Sequence, residues 1–286
     1  MRWPWQKWAK QRGEQIEGSE GKRPKAIGLV LSGGSVRAAA HLGVLEVLER
    51  EGIRPDFVAG VSAGSVVGAL YCAGLPLDEM KRLSQELRWA RLGRITRPRL
   101  GFFDTSRLEG RMDELLEGRT FDQLSISFAA VAVDILRGQV VALREGPVSK
   151  AVRASCALAG TFMPVEDGER LLVDAGLINK LPVSVVQDMG ADYVIAVDLH
   201  DMRRKHRRPR NILEMWGLTY YTLISLTYGE AELADYLIQP DVARFNQVDF
   251  SQAGALIEEG RKAAEAAVPQ LRQDLGLEGG DAVVIL

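Results

Sequence analysis

The stretch Gly60-Val61-Ser62-Ala63-Gly64 constrains this chain more than any other. Before it, Asp56-Phe57-Val58-Ala59 reads as a short buried strand, and after it Ser65 to Leu70 reads as the start of a helix. A serine with glycine two places before and two after, at a strand-to-helix junction, has the pattern of a nucleophile elbow. The reason is steric. The turn is so tight that neighbouring side chains must be absent, which leaves the serine Oγ exposed beside a helix N-terminus. The unpaired N–H groups there face any developing negative charge. Small-residue runs also produce G-x-S-x-G by chance, so the reading depends on what accompanies it.

Two further turns accompany it. Ala26 to Leu31 is a continuous apolar run and reads as a buried strand. Ser32-Gly33-Gly34-Ser35 follows as a turn, then a helix over Ala38 to Glu51 with Leu42, Leu45 and Leu48 on one face. Strand, glycine turn and helix together gather backbone amides into an anion cradle; a plain structural turn is the alternative. The spacing is not G-x-G-x-x-G and no G-K-[ST] follows, so neither the dinucleotide fingerprint nor the phosphate-binding P-loop is present. Downstream, Leu171-Leu172-Val173-Asp174-Ala175-Gly176 reads as a short strand that delivers an aspartate into a small-residue turn.

The 286 residues, 47% of them hydrophobic, suffice for one large α/β domain with a sizeable core. Its expected limits are 25–276, between a polar tail over 1–24 and a short tail over 277–286. The two cysteines, Cys72 and Cys156, both lie in apolar helical surroundings and point to a reducing compartment rather than a disulfide framework. His41, His200 and His206 have no ligand spacing with either, so no metal site and no cofactor are expected. A charged helical stretch is expected over Leu77 to Glu117, interrupted at Ile95 to Asp104. A β-hairpin is expected from Ile126 to Leu143 around Arg137-Gly138, a helix over Val148 to Ala157 and a buried strand over Tyr193 to Leu199. Asn211 to Leu237 reads as one long aromatic-rich helix, whose Glu214, Glu230 and Glu232 argue against a membrane span. Leu237-Ile238 reads as a last short strand and Ala253 to Leu275 as an amphipathic helix. Strands alternating with helices imply a mostly parallel sheet covered on both faces. Gly33, Ser62 and Asp174 are then expected at the C-terminal ends of its strands.

The net charge of −2 conceals positive runs in the N-terminal tail, around Arg88 to Arg99 and over Arg203 to Arg210. Such runs are either solvated faces or contacts with an anionic membrane surface. No nucleic-acid motif accompanies them, so nucleic acid is not expected as a partner. The tail carries Trp3, Trp5 and Trp8 among cations and has no apolar core of a signal peptide. It suits a membrane interface or a docked or disordered tail equally well.

The residues also resemble a known family. Leu31-Ser32-Gly33-Gly34, Arg37, His41, Gly43-Val44-Leu45 and Gly60-Val61-Ser62-Ala63-Gly64 are similar to the patatin-like phospholipases in their bacterial, single-domain form. So are Val152-Arg153-Ala154-Ser155, Phe162-Met163-Pro164, Asp174-Ala175-Gly176, Leu181-Pro182-Val183, Ala196-Val197-Asp198 and Asp249-Phe250. The resemblance implies a patatin-like three-layer α/β sandwich with a mostly parallel central sheet and a strand-turn-helix nucleophile elbow. It implies a serine–aspartate dyad without histidine. Ser62 would be the nucleophile that takes up the acyl group, and Asp174 the base that later activates water. The amides of Gly33, Gly34 and Ser35 would form the oxyanion hole. Arg37 would order that loop, with Gly60, Gly64 and Gly176 supporting the two turns. The substrate implied is a phospholipid, lysophospholipid or simpler acyl ester, and the protein would be cytoplasmic, peripheral at the inner face of the membrane.

The chain departs from the family pattern at several positions. Ser35 replaces the third glycine of the first turn, Ala38 the glycine after the basic residue, and Ala175 a glycine after the aspartate. Ala159 stands where proline is common and Lys180 where asparagine is common. If Ser35 needs a positive φ, it carries about 1 kcal/mol of strain. Two other functions stay open on the sequence. One is an α/β-hydrolase esterase with the triad order Ser62, Asp174, His200. The other is a non-catalytic lipid-sensing or regulatory module on the same fold. No protein partner can be named from the residues.

Overall fold

The computed structural model describes residues 25–86, 93–95, 100–200, 208–225 and 228–277. Trp3, Trp5, Trp8 and most of the Arg203 to Arg210 run lie outside the described residues. In chain order the elements are β1 (Ile27–Leu31), α1 (Ala39–Arg50), β2 (Phe57–Val61), α2 (Ala63–Cys72) and α3 (Leu77–Glu86). Next come β3 (Arg94–Ile95), β4 (Phe103–Asp104), α4 (Ser106–Leu116), β5 (Ser127–Asp134), β6 (Gln139–Leu143) and α5 (Val148–Ser155). Then follow β7 (Val165–Asp167), β8 (Arg170–Asp174), α6 (Val183–Asp188) and β9 (Tyr193–Val197). The last are α7 (Ile212–Ser225), β10 (Tyr236–Ile238) and α8 (Ala253–Asp274).

The main sheet runs β10-β9-β1-β2-β5-β8-β7, with β6 also paired to β5. From β10 to β5 every pairing is parallel. Alternation along each strand sends side chains to opposite faces. In β1, Leu29 and Leu31 join Leu42, Leu45 and Leu48 of α1 and Leu256 and Leu271 of α8 in one core, while Val30 joins Val183 and Val186 of α6 in the other. Buried on both faces, the central strands read as the unbroken apolar runs seen in the sequence. The molecule is therefore the three-layer α/β sandwich expected.

The strand that carries Asp174 does not follow the parallel rule. β8 runs antiparallel to β5, with Asp174 opposite Ala132, and β6 occupies the other edge of that segment. β2 runs parallel along the same edge of β5 as β8 and ends with Val61 opposite Val131. Two strands thus approach head to head along one edge of β5 and stop one residue apart. Asp174 meets Ser62 because of this collision, and not by standing at the end of a parallel strand.

The single helix expected over 211–237 is broken. α7 ends at Ser225, and a 3-10 turn over Tyr228–Leu233 precedes β10. Glu230 has its reason here, accepting from the Ser184 amide at 3.2 Å and from the Ser184 hydroxyl. This ties the turn to α6. The interruption at 95–104 contains a two-residue antiparallel ladder of β3 with β4, and β7 is a strand the sequence reading passed over.

Candidate active site

The elbow at Ser62 adopts φ 53° and ψ −129°, a conformation that costs a side-chain-bearing residue about 1–3 kcal/mol. The surroundings impose it. A Cβ at Gly64 would stand 2.3 Å from the Leu31 carbonyl oxygen, and one at Gly60 would stand 2.6 Å from Ser65 Cα. The Ser62 carbonyl accepts from the Ser65 amide at 2.8 Å and from the Ser65 hydroxyl at 2.6 Å. The Ser62 amide donates to Ser155 Oγ at 2.9 Å, and that hydroxyl donates to the Val131 carbonyl at 2.7 Å. Ser155, at the end of α5, therefore bridges the point where β2 leaves β5.

Asp174 is buried and fixed from its own backbone outward. Its amide donates to the Ala157 carbonyl at 2.9 Å, and its Oδ1 accepts from the Gly176 amide at 2.8 Å. The Ser62 side chain faces this carboxylate and favours its charged form. Burial pushes the Asp174 pKa up to about 6, against the restraint of Ser62 and the Gly176 amide. At neutral pH the group is mostly ionised and close to taking a proton.

His200 does not join them. Its Nδ1 lies 3.1 Å from Asp198 Oδ1, and the other oxygen of Asp198 pairs with Lys180 Nζ at 3.1 Å in complete burial. Burial pushes the Asp198 carboxyl up, but the His200 hydrogen bond and the charges of His200 and Lys180 pull it below its ordinary value. A triad would need Asp174 to orient His200. Here His200 is oriented by Asp198 and not by Asp174.

The 33–35 turn lies against the elbow, where a Cβ on Gly33 would be 3.1 Å from Ser62 Cβ. The amides on either side of it are occupied: Ser32 N donates to Val197 O at 3.1 Å, and Val36 N to Gln247 O at 3.4 Å. The amides of Gly33, Gly34 and Ser35 find no acceptor among the described residues. Ser35 has φ 54°, so the anticipated strain is present, and its hydroxyl donates to the Gln247 carbonyl at 2.8 Å. Arg37, fully buried, donates to the carbonyls of Ala243 and Phe245, both at 3.1 Å. It thereby ties the turn to the chain before α8. His41 is also fully buried; burial lowers its pKa to about 4, and the neutral ring donates through Nε2 to the Ser32 carbonyl at 2.9 Å.

α7 closes the Asp174 side. Trp216 lies against Gly160, where a Cβ would be 2.9 Å from its ring, and Ile224 lies 3.6 Å from a Cβ on Gly176. Tyr220 falls between them on the same helical stripe. From the sequence, this segment is expected to cover the core or line an acyl pocket, and nothing is assigned to Ser155 or Gln247. Only a hydroxyl among small residues at the end of α5 hinted at Ser155. A polar groove of about 280 Å³ is lined by Glu109, Lys150, Arg153 and Glu166, not by Ser62 or Asp174. Its two cations are paired, Arg153 to Glu109 at 2.7 Å and Lys150 to Asp167 at 3.0 Å.

Comparison with known proteins places the chain in a family. A family model described as patatin-like phospholipase matches residues 29–186. An uncharacterised NTE-family protein of Mycobacterium tuberculosis is 31% identical over 88% of this chain and 48% of its own length. The chain therefore spans about half of that relative. A patatin-like phospholipase domain-containing protein of Caenorhabditis elegans is 38% identical over 61% of this chain and 14% of its own. Among solved structures, VipD from Legionella pneumophila has a TM-score of 0.60 at 12% identity, over 86% of this chain and 67% of that one. That likeness concerns fold alone. The matched segment holds both glycine turns, the elbow and Asp174, and the chain belongs to the patatin-like phospholipase family.

Proposed function

We propose that this chain is a serine acyl hydrolase that cleaves acyl esters of phospholipids or lysophospholipids through a Ser62–Asp174 dyad. The observation that carries the reading is the meeting of Ser62 with a buried carboxylate where β2 and β8 end on one edge of β5, beside three amides at 33–35 that find no acceptor among the described residues. In this mechanism Asp174 takes the Ser62 proton as Oγ attacks the acyl carbon. The amides receive the negative charge on the carbonyl oxygen. The bond to the leaving alcohol breaks, and that oxygen takes the proton from Asp174. Water then attacks the acyl-enzyme and yields its proton to Asp174, which passes it to Ser62 Oγ as the acyl bond breaks and the fatty acid leaves.

Substrate would enter from a lipid surface. Exposed Met215 and Trp216 lie on α7, and Arg208 and Arg210 precede that helix. Exposed Phe102 is hydrogen-bonded to Thr161, beside the Gly160 that Trp216 covers, and exposed Ile178 follows the 175–177 turn. Among the described residues no helix is long and apolar enough to cross a membrane. An apolar rim with nearby cations suits attachment to an anionic membrane surface.

The test is hydrolysis by the purified protein of a panel of phospholipids, lysophospholipids and simple esters. The wild type is expected to release fatty acid. Asp174→Asn should lose at least ~10³-fold, and His200→Ala should stay within ~10-fold of wild type. Lipid binding without hydrolysis would favour a lipid-sensing module, and a His200→Ala loss equal to that of Asp174→Asn would contradict the dyad.

A further inference from the structure

Tyr220 is a polar group that neither the dyad nor the fold uses. Its side chain is buried, with 7% of the residue exposed, and its hydroxyl has no hydrogen-bond partner among the described residues. An unsatisfied buried hydroxyl costs about 1–3 kcal/mol, so phenylalanine would serve packing better. The charge that acts on it is the Asp174 carboxylate; burial, and secondarily that charge, push the phenol pKa above its ordinary range and keep the proton on oxygen. Trp216 and Ile224, one turn to either side, press on Gly160 and Gly176 and fix where Tyr220 stands. α7 also lies beyond the segment matched by the family model.

The two sides of the site have different tasks. The oxyanion side is the 33–35 turn, packed on Ser62 from β1. The leaving oxygen must be on the other side, because its proton comes from Asp174. The helix that carries Tyr220 packs over the 175–177 turn, which puts its buried, unpartnered hydroxyl on that side of the site. We infer that Tyr220 is a third catalytic residue, whose O–H donates a hydrogen bond to the ester oxygen of the departing alcohol. The inference rests on the acyl-hydrolase reading above. The step balances without a new reactant. The acyl C–O bond breaks, the departing oxygen takes the proton held by Asp174, and Tyr220 keeps its own proton throughout.

The test compares kcat/KM of the wild type and Tyr220→Phe on two esters with the same acyl chain, a p-nitrophenyl ester and a glyceryl ester. The ratio kcat/KM reports acylation, and p-nitrophenolate leaves without assistance. The expected result is a ~10–100-fold loss on the glyceryl ester and a change within ~3-fold on the p-nitrophenyl ester, with Tm unchanged or higher. Equal loss on both esters, or no loss on the glyceryl ester, overturns the inference while the dyad reading stands. A wild type that hydrolyses neither ester overturns both.

Discussion

As the proposed base, Asp174 combines two demands that oppose each other. A base for serine must be ionised near neutral pH yet able to hold a proton, and burial supplies the second property at the expense of stability. The folded-state pKa of about 6 lies above that of an exposed aspartate. The folded state therefore holds the proton more tightly than the unfolded chain. The stability that this proton supplies is complete below about pH 4 and lost as pH rises through 6. Asp174→Asn should accordingly be more stable than the wild type at pH 8, by about 1–3 kcal/mol, with the gain vanishing near pH 4. Urea unfolding at the two pH values measures this, and a variant less stable at pH 8 would contradict it. The same titration predicts kcat/KM rising with pH through about 6 and level above, because only the carboxylate accepts the Ser62 proton. Ser62, Asp174 and the 33–35 turn were legible in the sequence because each lies in a glycine-marked turn after an apolar run. Ser155 and Tyr220 were not. A serine at a helix end and a tyrosine in an aromatic helix carry no signal of what lies opposite them in space.

At the scale of elements, glycine changes its meaning with its neighbour. α1 and α8 cross so closely that a Cβ on Gly260 would stand 1.9 Å from the Ala40 carbonyl oxygen, and one on Gly43 1.9 Å from that of Ile257. Gly110, in the exposed face of α4, has nothing within 4 Å. Alanine improves helix propensity by about 1 kcal/mol at either site. At Gly260 the helices must separate, which costs about 1–3 kcal/mol or more. Gly260→Ala should therefore lower the urea midpoint and Gly110→Ala raise it; equal shifts would show that the crossing is not tight. The helices and the hairpin were readable from periodicity, with ends displaced by a few residues. The direction of β8 was not, since a five-residue apolar run looks the same parallel or antiparallel. The 3-10 turn over Tyr228–Leu233 was hidden as well, because Glu230 reads as a surface charge until Ser184 is placed beside it.

Across the whole molecule, five parallel strands hold one layer rigid between two cores, and the reacting groups gather where that order ends. β5 outlasts β2, β8 fills the remaining edge from the opposite direction, and the serine and the carboxylate meet at the junction. Arg37 and the Ser35 hydroxyl then fasten the amide turn to the chain that leads into α8. The arrangement is complete before any substrate arrives, as electrostatic stabilisation requires. The central consequence of the proposed function is a serine that acts as a nucleophile without histidine. Incubation of the purified protein with a fluorophosphonate, followed by intact-mass and peptide mass spectrometry, measures this directly. One adduct on Ser62 is predicted, retained in His200→Ala, slowed at least ~10²-fold in Asp174→Asn and absent in Ser62→Ala. An unlabelled wild type, or an adduct that persists in Ser62→Ala, would contradict the account.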